Sequence, residues 1–205
     1  MAGLYLFYQG QQRSPDDGRL WWQAFDGTWH GVQEIYLGGD KNMSYAPAPV
    51  VFKNIIHVLH QGAYENGQLW LTWYDANVWN PDVQVPGVGL SWSPSAVVFN
   101  NQLYVFHPGS GESGELWYIV ADATTWSDDR KLISGGDSFN VENGISLSPS
   151  AVVWNNMLYV FFQNGHGGGG LVIRETEDFS SSVLPMAQTG GVLTTPNSQI
   201  HSFRT

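Results

Sequence analysis

Two nearly identical stretches decide the fold: "SPSAVVFNNQLYVFHPG" at Ser93–Gly109 and "SPSAVVWNNMLYVFFQN" at Ser148–Asn164. Each stretch consists of two apolar runs rich in Val, Phe and Tyr, joined by an Asn-Asn pair. Asn tolerates the positive φ that a type I′ turn requires, so each stretch predicts a β-hairpin with a two-residue turn. Because one chain contains the hairpin twice, the sequence also predicts an internal repeat.

Three sequence markers recur in the same order, about 50 residues apart, and define this repeat. The first marker is the proline of the hairpin, at Pro47, Pro94, Pro149 and Pro196. The second is a Leu-Trp pair, at Leu20-Trp21, Leu69-Trp70, Leu116-Trp117 and, in degenerate form, Leu171-Val172. The third is an acidic residue followed by an aromatic one, at Asp26 and Trp29, Asp75 and Trp79, Asp122 and Trp126, and weakly Glu177 and Phe179. The chain therefore contains four repeats, and the longer third repeat has a loop insertion between Trp126 and Pro149.

Each repeat contains four strand candidates, which is the strand content of one β-propeller blade of about 40 to 50 residues. The apolar runs are continuous, as expected for strands whose two faces are both covered by neighbouring blades. We therefore predict an all-β fold: a single β-propeller domain over residues 1–205, with four four-stranded blades. A β-trefoil needs three repeats and does not fit this count.

The two ends of the chain complement each other. The stretch "LYLFYQG" at Leu4–Gly10 matches the second strand of a blade, with no first strand before it. The stretch "TPNSQIHSFRT" at Thr195–Thr205 occupies the place of a first strand with no second strand after it. We expect the C-terminal strand to pair with the N-terminal blade and close the ring, which removes open sheet edges. The alternative is a larger ring completed by a second chain, which leaves homo-oligomerisation open.

Composition supports the all-β prediction and excludes several partners. The 10 Trp, 9 Tyr and 10 Phe make the chain 14% aromatic, and only 13% of its residues are charged. A net charge of −10 argues against nucleic acid, because phosphate binding needs clustered positive charge. The same charge disfavours anionic membranes, and no apolar run is long enough for membrane insertion.

The sequence contains no Cys, so it offers neither disulfides nor a thiolate metal site. The first residues, "MAGLYLFYQG", lack the basic region and long apolar stretch of a secretory signal peptide. We expect a soluble protein that is either cytosolic or released without a classical signal peptide, and its compartment is otherwise undetermined.

The stretch "SPSAVVFNNQLYVFHPGSGESGELWYIVADATTW" at Ser93–Trp126 resembles the repeat of the bacterial β-propeller lectins that bind fucose and related sugars. It is more distantly similar to the fungal propeller lectins that bind N-acetylglucosamine. The resemblance covers nearly the whole chain and is strongest from Ile56 to Phe162. Those lectins usually carry six or seven blades, whereas four are counted here. The resemblance implies shallow sugar sites between adjacent blades, without a cofactor.

A sugar presents apolar C–H faces and a rim of hydroxyls, so its site needs an aromatic plane and hydrogen-bonding groups on rigid loops. Trp92 is the leading candidate, because its counterparts in the neighbouring repeats are Tyr45 and Leu147 and the repeat does not require Trp there. The predicted sugar-binding residues are Ser91, Trp92 and Ser93 before the hairpin, His60, Gln61 and His107 at strand ends, and Trp70, Trp117 and Tyr118 on the third strand. For the repeated Trp a packing role is an open alternative, and for His60 and His107 a structural hydrogen bond is equally open. The fourth repeat lacks Trp at both marker positions, so a site there is doubtful.

Other motifs do not support catalysis or metal binding. The run "GHGGGG" at Gly165–Gly170 has no Lys nearby and strand candidates on both sides, which favours a hairpin loop over a phosphate loop. His57 and His60 are three apart on a strand and point to opposite faces, so a zinc pair is not expected. Backbone carbonyls holding a cation in the central channel are left open.

The acidic pairs Asp16-Asp17 and Asp128-Asp129 are interpreted as solvated turns, not as the paired carboxylates of a glycosidase. The recurring Asp75 and Asp122 are interpreted as Asx-turn residues.

We therefore expect a non-catalytic carbohydrate-binding lectin with repeated, multivalent sites for fucose-like or related monosaccharides on glycans or glycoconjugates. The alternative is a protein-interaction or toxin-associated propeller scaffold without sugar binding. A hydrolase fits least well, because a catalytic acid/base pair would be unique in the chain and not copied in every repeat.

Overall fold

The computed structural model describes residues 3–14, 17–38, 42–122, 125–133, 145–163, 169–174 and 184–186. Within these residues the secondary structure is almost entirely β, and the described helix is a single 3₁₀ turn at Ser110–Glu112. No described helix is long and apolar enough to span a membrane. The all-β prediction is confirmed.

The strands follow one another in short succession. Strands β1 to β8 are Leu4–Ser14, Asp17–Phe25, Gln33–Glu34, Met43–Phe52, Ile55–Gly62, Gln68–Asp75, Val78–Trp79 and Val83–Gly89. Strands β9 to β16 are Ser95–Phe99, Gln102–Pro108, Leu116–Ala121, Arg130–Ile133, Ser150–Trp154, Met157–Gln163, Gly169–Arg174 and Leu184–Met186.

These strands form four consecutive antiparallel meanders. The first meander is β1–β2–β3, and the second is β4–β5–β6, with both β7 and β8 paired to β6. The third meander is β9–β10–β11–β12 and the fourth is β13–β14–β15–β16. One residue pair, Gly18 with Met43, joins the first two meanders into an eight-stranded sheet. The number of blades and the closure of the ring stay predictions, and the proposed closing segment Thr195–Thr205 lies outside the described residues.

The predicted Asn-Asn turns are confirmed. Asn100 and Asn101 have φ of 48° and 60°, and Asn155 and Asn156 have φ of 51° and 60°. Each pair connects two directly paired strands, as a type I′ hairpin requires. The sequence analysis did not identify two further turns of the same kind, at Lys53-Asn54 and Ala76-Asn77, which also have positive φ at both residues.

Apolar side chains fill the space between successive meanders. Along β10, Leu103 and Val105 belong to the core between the second and third meanders, whereas Tyr104 and Phe106 belong to the core between the third and fourth. Successive side chains of a strand point to opposite faces, so a strand covered on both faces must be apolar at every position. This arrangement explains the unbroken run "LYVF", and burial of each such side chain contributes about 1.5–3 kcal/mol.

Serine side chains also connect the meanders. The backbone N–H of Ala46 donates to Ser93 Oγ at 2.9 Å, and the backbone N–H of Ser93 donates to Ser148 Oγ at 2.9 Å. The backbone N–H of Ala151 donates to Ser95 Oγ at the same distance. The Ser-Pro segments that begin the hairpins therefore hold three consecutive meanders in register at their first strands.

Candidate functional site

Two concave sites between meanders combine aromatic and acidic side chains. The smaller site, which we call the Trp92 cavity, has a volume of about 330 Å³ and lies between the second and third meanders. Its lining residues are Tyr45, Gln61, Glu65, Gly67, Leu90, Ser91, Trp92, Gly111 and Glu112. Three of the predicted site residues, Gln61, Ser91 and Trp92, are therefore brought together in one cavity.

Left-handed backbone is concentrated at this cavity. Outside the two-residue hairpin turns, the described residues that combine a side chain with positive φ are Tyr45, Tyr64, Glu65, Trp92 and Glu112. All of them except Tyr64 line the Trp92 cavity. Such conformations cost about 1–3 kcal/mol each and persist where the surrounding structure imposes them, often at ligand sites. The cavity is thus the place where the fold holds bulky side chains in strained positions.

Hydrogen bonds hold the acidic residues of the cavity in equivalent positions in two repeats. The backbone N–H of Glu65 donates to Ser44 Oγ at 3.0 Å, and the backbone N–H of Glu112 donates to Ser91 Oγ at 3.0 Å. The Tyr45 hydroxyl donates to the Glu65 carboxylate. Ser91 therefore has a structural role beside the cavity, and two aromatic–glutamate sets face the same space.

Gln61 presents a buried acceptor in the cavity. The residue is 1% exposed, and its Nε2 donates to the backbone carbonyl of Leu90 at 3.0 Å. This bond fixes the orientation of the side-chain amide, because the carbonyl of Leu90 can only accept. The other amide atom, Oε1, is buried and has no hydrogen-bond partner among the described residues. Buried acceptors of this kind are uncommon and call for an explanation.

The larger site, which we call the Trp117 groove, has a volume of about 650 Å³. It is lined by Pro86, Gly87 and Gly89 of the second meander and by Gly109, Ser110, Ser113, Glu115, Trp117, Trp126, Ser127, Asp128 and Asp129 of the third. The predicted residue Trp117 is therefore part of an open groove between two meanders.

The indole ring of Trp117 already interacts with two charged side chains of the same chain. Its Nε1 donates to Glu115 Oε2 at 3.0 Å, and the ammonium of Lys131 lies 5.1 Å from the centre of its ring. Lys131 Nζ also donates to Glu115 Oε1 at 2.5 Å. The hydrogen bond from Lys131 is the main reason that the pKa of Glu115 is lowered. One face of Trp117 thus holds a cation that the chain itself supplies.

The repeated glycine after the second strand makes room for the repeated Trp. A Cβ at Gly62 would lie 2.7 Å from Trp70 Nε1, and one at Gly109 would lie 3.0 Å from Trp117 Nε1. The backbone of each glycine is therefore in close contact with the indole edge, which only glycine allows. This contact favours a packing role for Trp70, whereas Trp117 combines the same contact with a position in the lining of the open groove.

The two predicted histidines are fully buried in equivalent ion pairs. His60 Nε2 lies 3.1 Å from Asp82 Oδ2, and its Nδ1 donates to the backbone carbonyl of Gln61 at 2.9 Å. His107 Nε2 lies 3.0 Å from Asp129 Oδ1, and its Nδ1 donates to the backbone carbonyl of Pro108 at 3.1 Å. Both rings are buried, and both nitrogens of each ring already have hydrogen-bond partners within the chain, so neither ring offers a group to a sugar. The geometry favours the structural alternative for both residues.

Two further predicted residues lie outside the two sites. Tyr118 packs against Tyr104 and Phe106, with ring centroids 6.5 Å and 6.0 Å away, on the side of the third meander that faces the fourth. Ser93 is engaged in the hydrogen bonds between meanders described above. Their location favours packing and register over ligand contact.

The interpretation of Asp129 as a solvated turn residue is wrong. Its side chain is only 15% exposed, because it pairs with the buried His107. By contrast, Asp122 accepts a hydrogen bond from the backbone N–H of Thr125, three residues on, at 2.9 Å, so its side chain stabilises the local turn without the two-residue spacing of an Asx-turn. The sequence contains a sign that these pairs are equivalent, because His and Asp are separated by 22 residues in both repeats.

The sequence analysis also missed Glu65 and Glu112. Their separation equals that of Pro47 and Pro94, so the repeat itself marks them as equivalent. Their positive φ, which turns them toward the cavity, has no comparable signal in the sequence. Among the described residues, no group of three or more His, Cys, Asp or Glu is placed to hold a metal ion.

Comparison with solved structures shows the fold. The BP39L lectin from Burkholderia pseudomallei superposes with a TM-score of 0.67 at 18% identity, over 89% of this chain and 51% of that chain. A fungal fucose-binding lectin from Aleuria aurantia, a six-bladed β-propeller, gives a TM-score of 0.61 at 14% identity, over 93% and 59%. A GH43_1 enzyme from Xanthomonas citri, complexed with xylotriose, gives 0.58 at 9% identity, over 85% and 67%.

The chain spans about half to three fifths of the length of the two lectins. No protein-family model and no curated protein matches its sequence. At these identities the likeness establishes a β-propeller type of fold, which lectins and a glycoside hydrolase share.

Proposed function

We propose that this chain is a non-catalytic lectin that binds monosaccharide units of glycans at shallow sites between its blades. The observation that carries the proposal is the Trp92 cavity, where Trp92 and Tyr45 stand beside Glu65, Glu112 and Gln61. Aromatic faces next to fixed hydrogen-bonding groups are what a pyranose requires. Lectins among the structural neighbours support the proposal at the level of the fold.

The binding residues that we propose are Trp92, Ser91 and Gln61 in the cavity, with Trp117 in the second site. His60, His107, Ser93, Trp70 and Tyr118 support these sites through burial, register and packing. A fucose-like sugar follows from the resemblance of the repeat, and four blades closed into one ring are part of the same proposal. One shallow pocket binds weakly, whereas several pockets on a rigid frame gain avidity on a dense glycan surface.

Absence of catalysis is also a proposal, because a glycoside hydrolase has a similar fold. Two carboxylates line the cavity, but Glu65 and Glu112 are copies of one position in successive repeats, and their backbone N–H groups donate to equivalent Ser hydroxyls. A catalytic acid and base would be unique residues with different roles, whereas these two glutamates recur with the repeat. Incubation with aryl glycosides should release no phenol, and release that Glu112→Gln abolishes would contradict this part of the proposal.

A glycan array with the wild type and the Trp92→Ala variant tests the function. We expect the wild type to bind a related group of sugars and the variant to lose at least about tenfold in affinity, equivalent to about 1.4 kcal/mol. Trp154→Ala is the control, because Trp154 is 51% exposed and lines neither site. Binding that Trp92→Ala leaves unchanged would move the site to the Trp117 groove, and an array without any signal would refute the lectin.

A further inference from the structure

The charged groups that line the Trp92 cavity are carboxylates. Glu65 and Glu112 contribute these carboxylates, and Gln61 contributes a buried Oε1 that has no donor within the described part of the chain. No Lys, Arg or His among the described residues lines the cavity. The hydroxyls of a neutral hexose can pair with the acceptors and with the indole and hydroxyl donors of this lining, but they carry no charge to balance the two carboxylates. The lining is better matched by a ligand group that carries a positive charge.

The aromatic walls favour the same kind of group. Trp92 and Tyr45 border the cavity together with the two carboxylates, and the electron-rich face of an aromatic ring attracts a cation. The net charge of −10 attracts cations to the surface as a whole. An ammonium group supplies three N–H donors, a positive charge and no acceptor.

The chain already contains one example of this recognition. In the Trp117 groove the carboxylate of Glu115 and the ring of Trp117 together hold the ammonium of Lys131, at 2.5 Å and 5.1 Å. The Trp92 cavity places carboxylates and aromatic rings together, with no Lys, Arg or His among its described lining residues. The Trp117 groove therefore shows how a carboxylate and an aromatic ring hold an ammonium in this fold, and a ligand could supply that ammonium in the Trp92 cavity.

We infer that the Trp92 cavity binds a protonated primary amine carried on a sugar ring, that is, an amino sugar whose nitrogen is not acetylated. The ammonium donates to the Gln61 Oε1 and lies between the carboxylates of Glu65 and Glu112, while the sugar ring lies against Trp92. The inference rests on the proposed function and deepens it, because it assigns an amino sugar to this cavity in place of the fucose-like sugar that the resemblance implies. Acetylation removes the charge and two of the three N–H donors, so the acetylated sugar should bind weakly.

Isothermal titration calorimetry with three matched oligosaccharides tests the inference. The ligands are a β-1,4-linked glucosamine tetramer, its fully N-acetylated form and the corresponding glucose tetramer, at pH 5.5 and low salt. We expect the glucosamine tetramer to bind at least tenfold more tightly than the other two. Raising the salt concentration should weaken its binding more than theirs.

Two isosteric variants test whether the preference for the amine arises in the Trp92 cavity. Glu112→Gln should remove most of the preference for the amine, whereas Glu34→Gln should leave it intact. Glu34 pairs with Arg19 in the first meander, so its substitution changes net charge equally but away from the cavity. Both variants are compared with the wild type by circular dichroism and thermal melting before titration.

The other outcomes separate the inference from the proposed function. Equal binding of the three tetramers, weakened by Trp92→Ala, would overturn the inference and leave the lectin in place. A lysine-containing peptide that binds more tightly than the glucosamine tetramer would overturn the assignment to a sugar. Failure of every tetramer, together with an array without signal, would overturn the lectin and the inference together.

Discussion

At the scale of single residues, backbone conformation decides which side chains form the site. The sequence placed Trp92, Ser91 and Gln61 near one another because strand ends and hairpin entries of a repeat meet in space. It did not reveal that Glu65 and Glu112 turn into the same cavity, since their positive φ is imposed by neighbouring hydrogen bonds and not by their own residue type. Trp92 was therefore predicted as a site residue, Tyr45 was recognised only as its counterpart in the preceding repeat, and neither glutamate was predicted.

His57 gives a prediction at the same scale, because burial lowers its pKa against the opposing effect of a hydrogen bond to the Ile55 carbonyl. The folded state thus favours the neutral ring, while the unfolded chain takes up a proton as the pH falls below the ordinary pKa of about 6.5. His57 therefore costs no stability above that pH, and stability is lost as the pH falls from there toward the lowered folded pKa.

We expect His57→Gln to lessen the loss of stability between pH 7.5 and pH 5, measured by urea unfolding at each pH. His30→Gln serves as the control, because His30 is exposed and pairs with Asp26. If the His57→Gln variant and the wild type lose the same stability between pH 7.5 and pH 5, the His57 ring does not titrate as described.

At the scale of strands and hairpins, the local pattern was strongly predictive. Asn-Asn turns, the four-strand period and double-sided burial all follow from turn chemistry and from the run of apolar residues. The pairing of β8 with β6 agrees with the predicted outer strand of the repeat, whereas the additional pairing of the two-residue strand β7 with β6 was not predicted. The buried ion pairs also went unpredicted, since the isolated acidic residues looked like ordinary turns.

The two buried His-Asp pairs predict which of two Asp→Ala substitutions lowers the stability of the protein more. Asp82 is 1% exposed in its side chain and joins His60 to the segment before β8, and its backbone N–H also donates to the Leu37 carbonyl at 3.0 Å. Removing one partner of a buried, hydrogen-bonded pair leaves the other polar group without its partner, which costs about 1–3 kcal/mol.

We therefore expect Asp82→Ala to lower the free energy of unfolding by about 1–3 kcal/mol. Asp129→Ala should lower the free energy of unfolding by less. The Asp129 side chain is 15% exposed, so water can take its place as the partner of His107. Urea unfolding of both variants beside the wild type measures the order. Equal losses, or a neutral Asp82→Ala, would contradict a stabilising role for the buried pair.

At the scale of the whole molecule, the repeat predicts meanders that pack against one another. The described packing agrees with this prediction. Three apolar clusters lie between consecutive meanders, so each described sheet is stabilised mainly by its neighbours. In the proposed ring, closure would remove the unpaired inner edge, which otherwise invites association with other chains. Closure depends on contacts between distant parts of the sequence, which local patterns do not encode.

The first meander shows where closure is needed. Within the described strands β1 pairs only with β2, and its Leu4 and Leu6 are 61% and 47% exposed. We propose that residues 195–205 pair with the free edge of β1, as the first strand of a complete blade. Exposed leucines beside an unpaired edge would otherwise favour aggregation.

Removal of residues 195–205 should therefore lower the melting temperature, speed hydrogen exchange of the Leu4–Ser14 amides and promote self-association in sedimentation velocity. Ile200→Asp should act in the same direction, because it places a charge in the closing segment, while Asn197→Asp should have little effect. The full-length chain should sediment as a 22.7 kDa monomer. If it sediments instead as a stable dimer, with β1 protected even after truncation, a second chain closes the ring and the C-terminal segment does not.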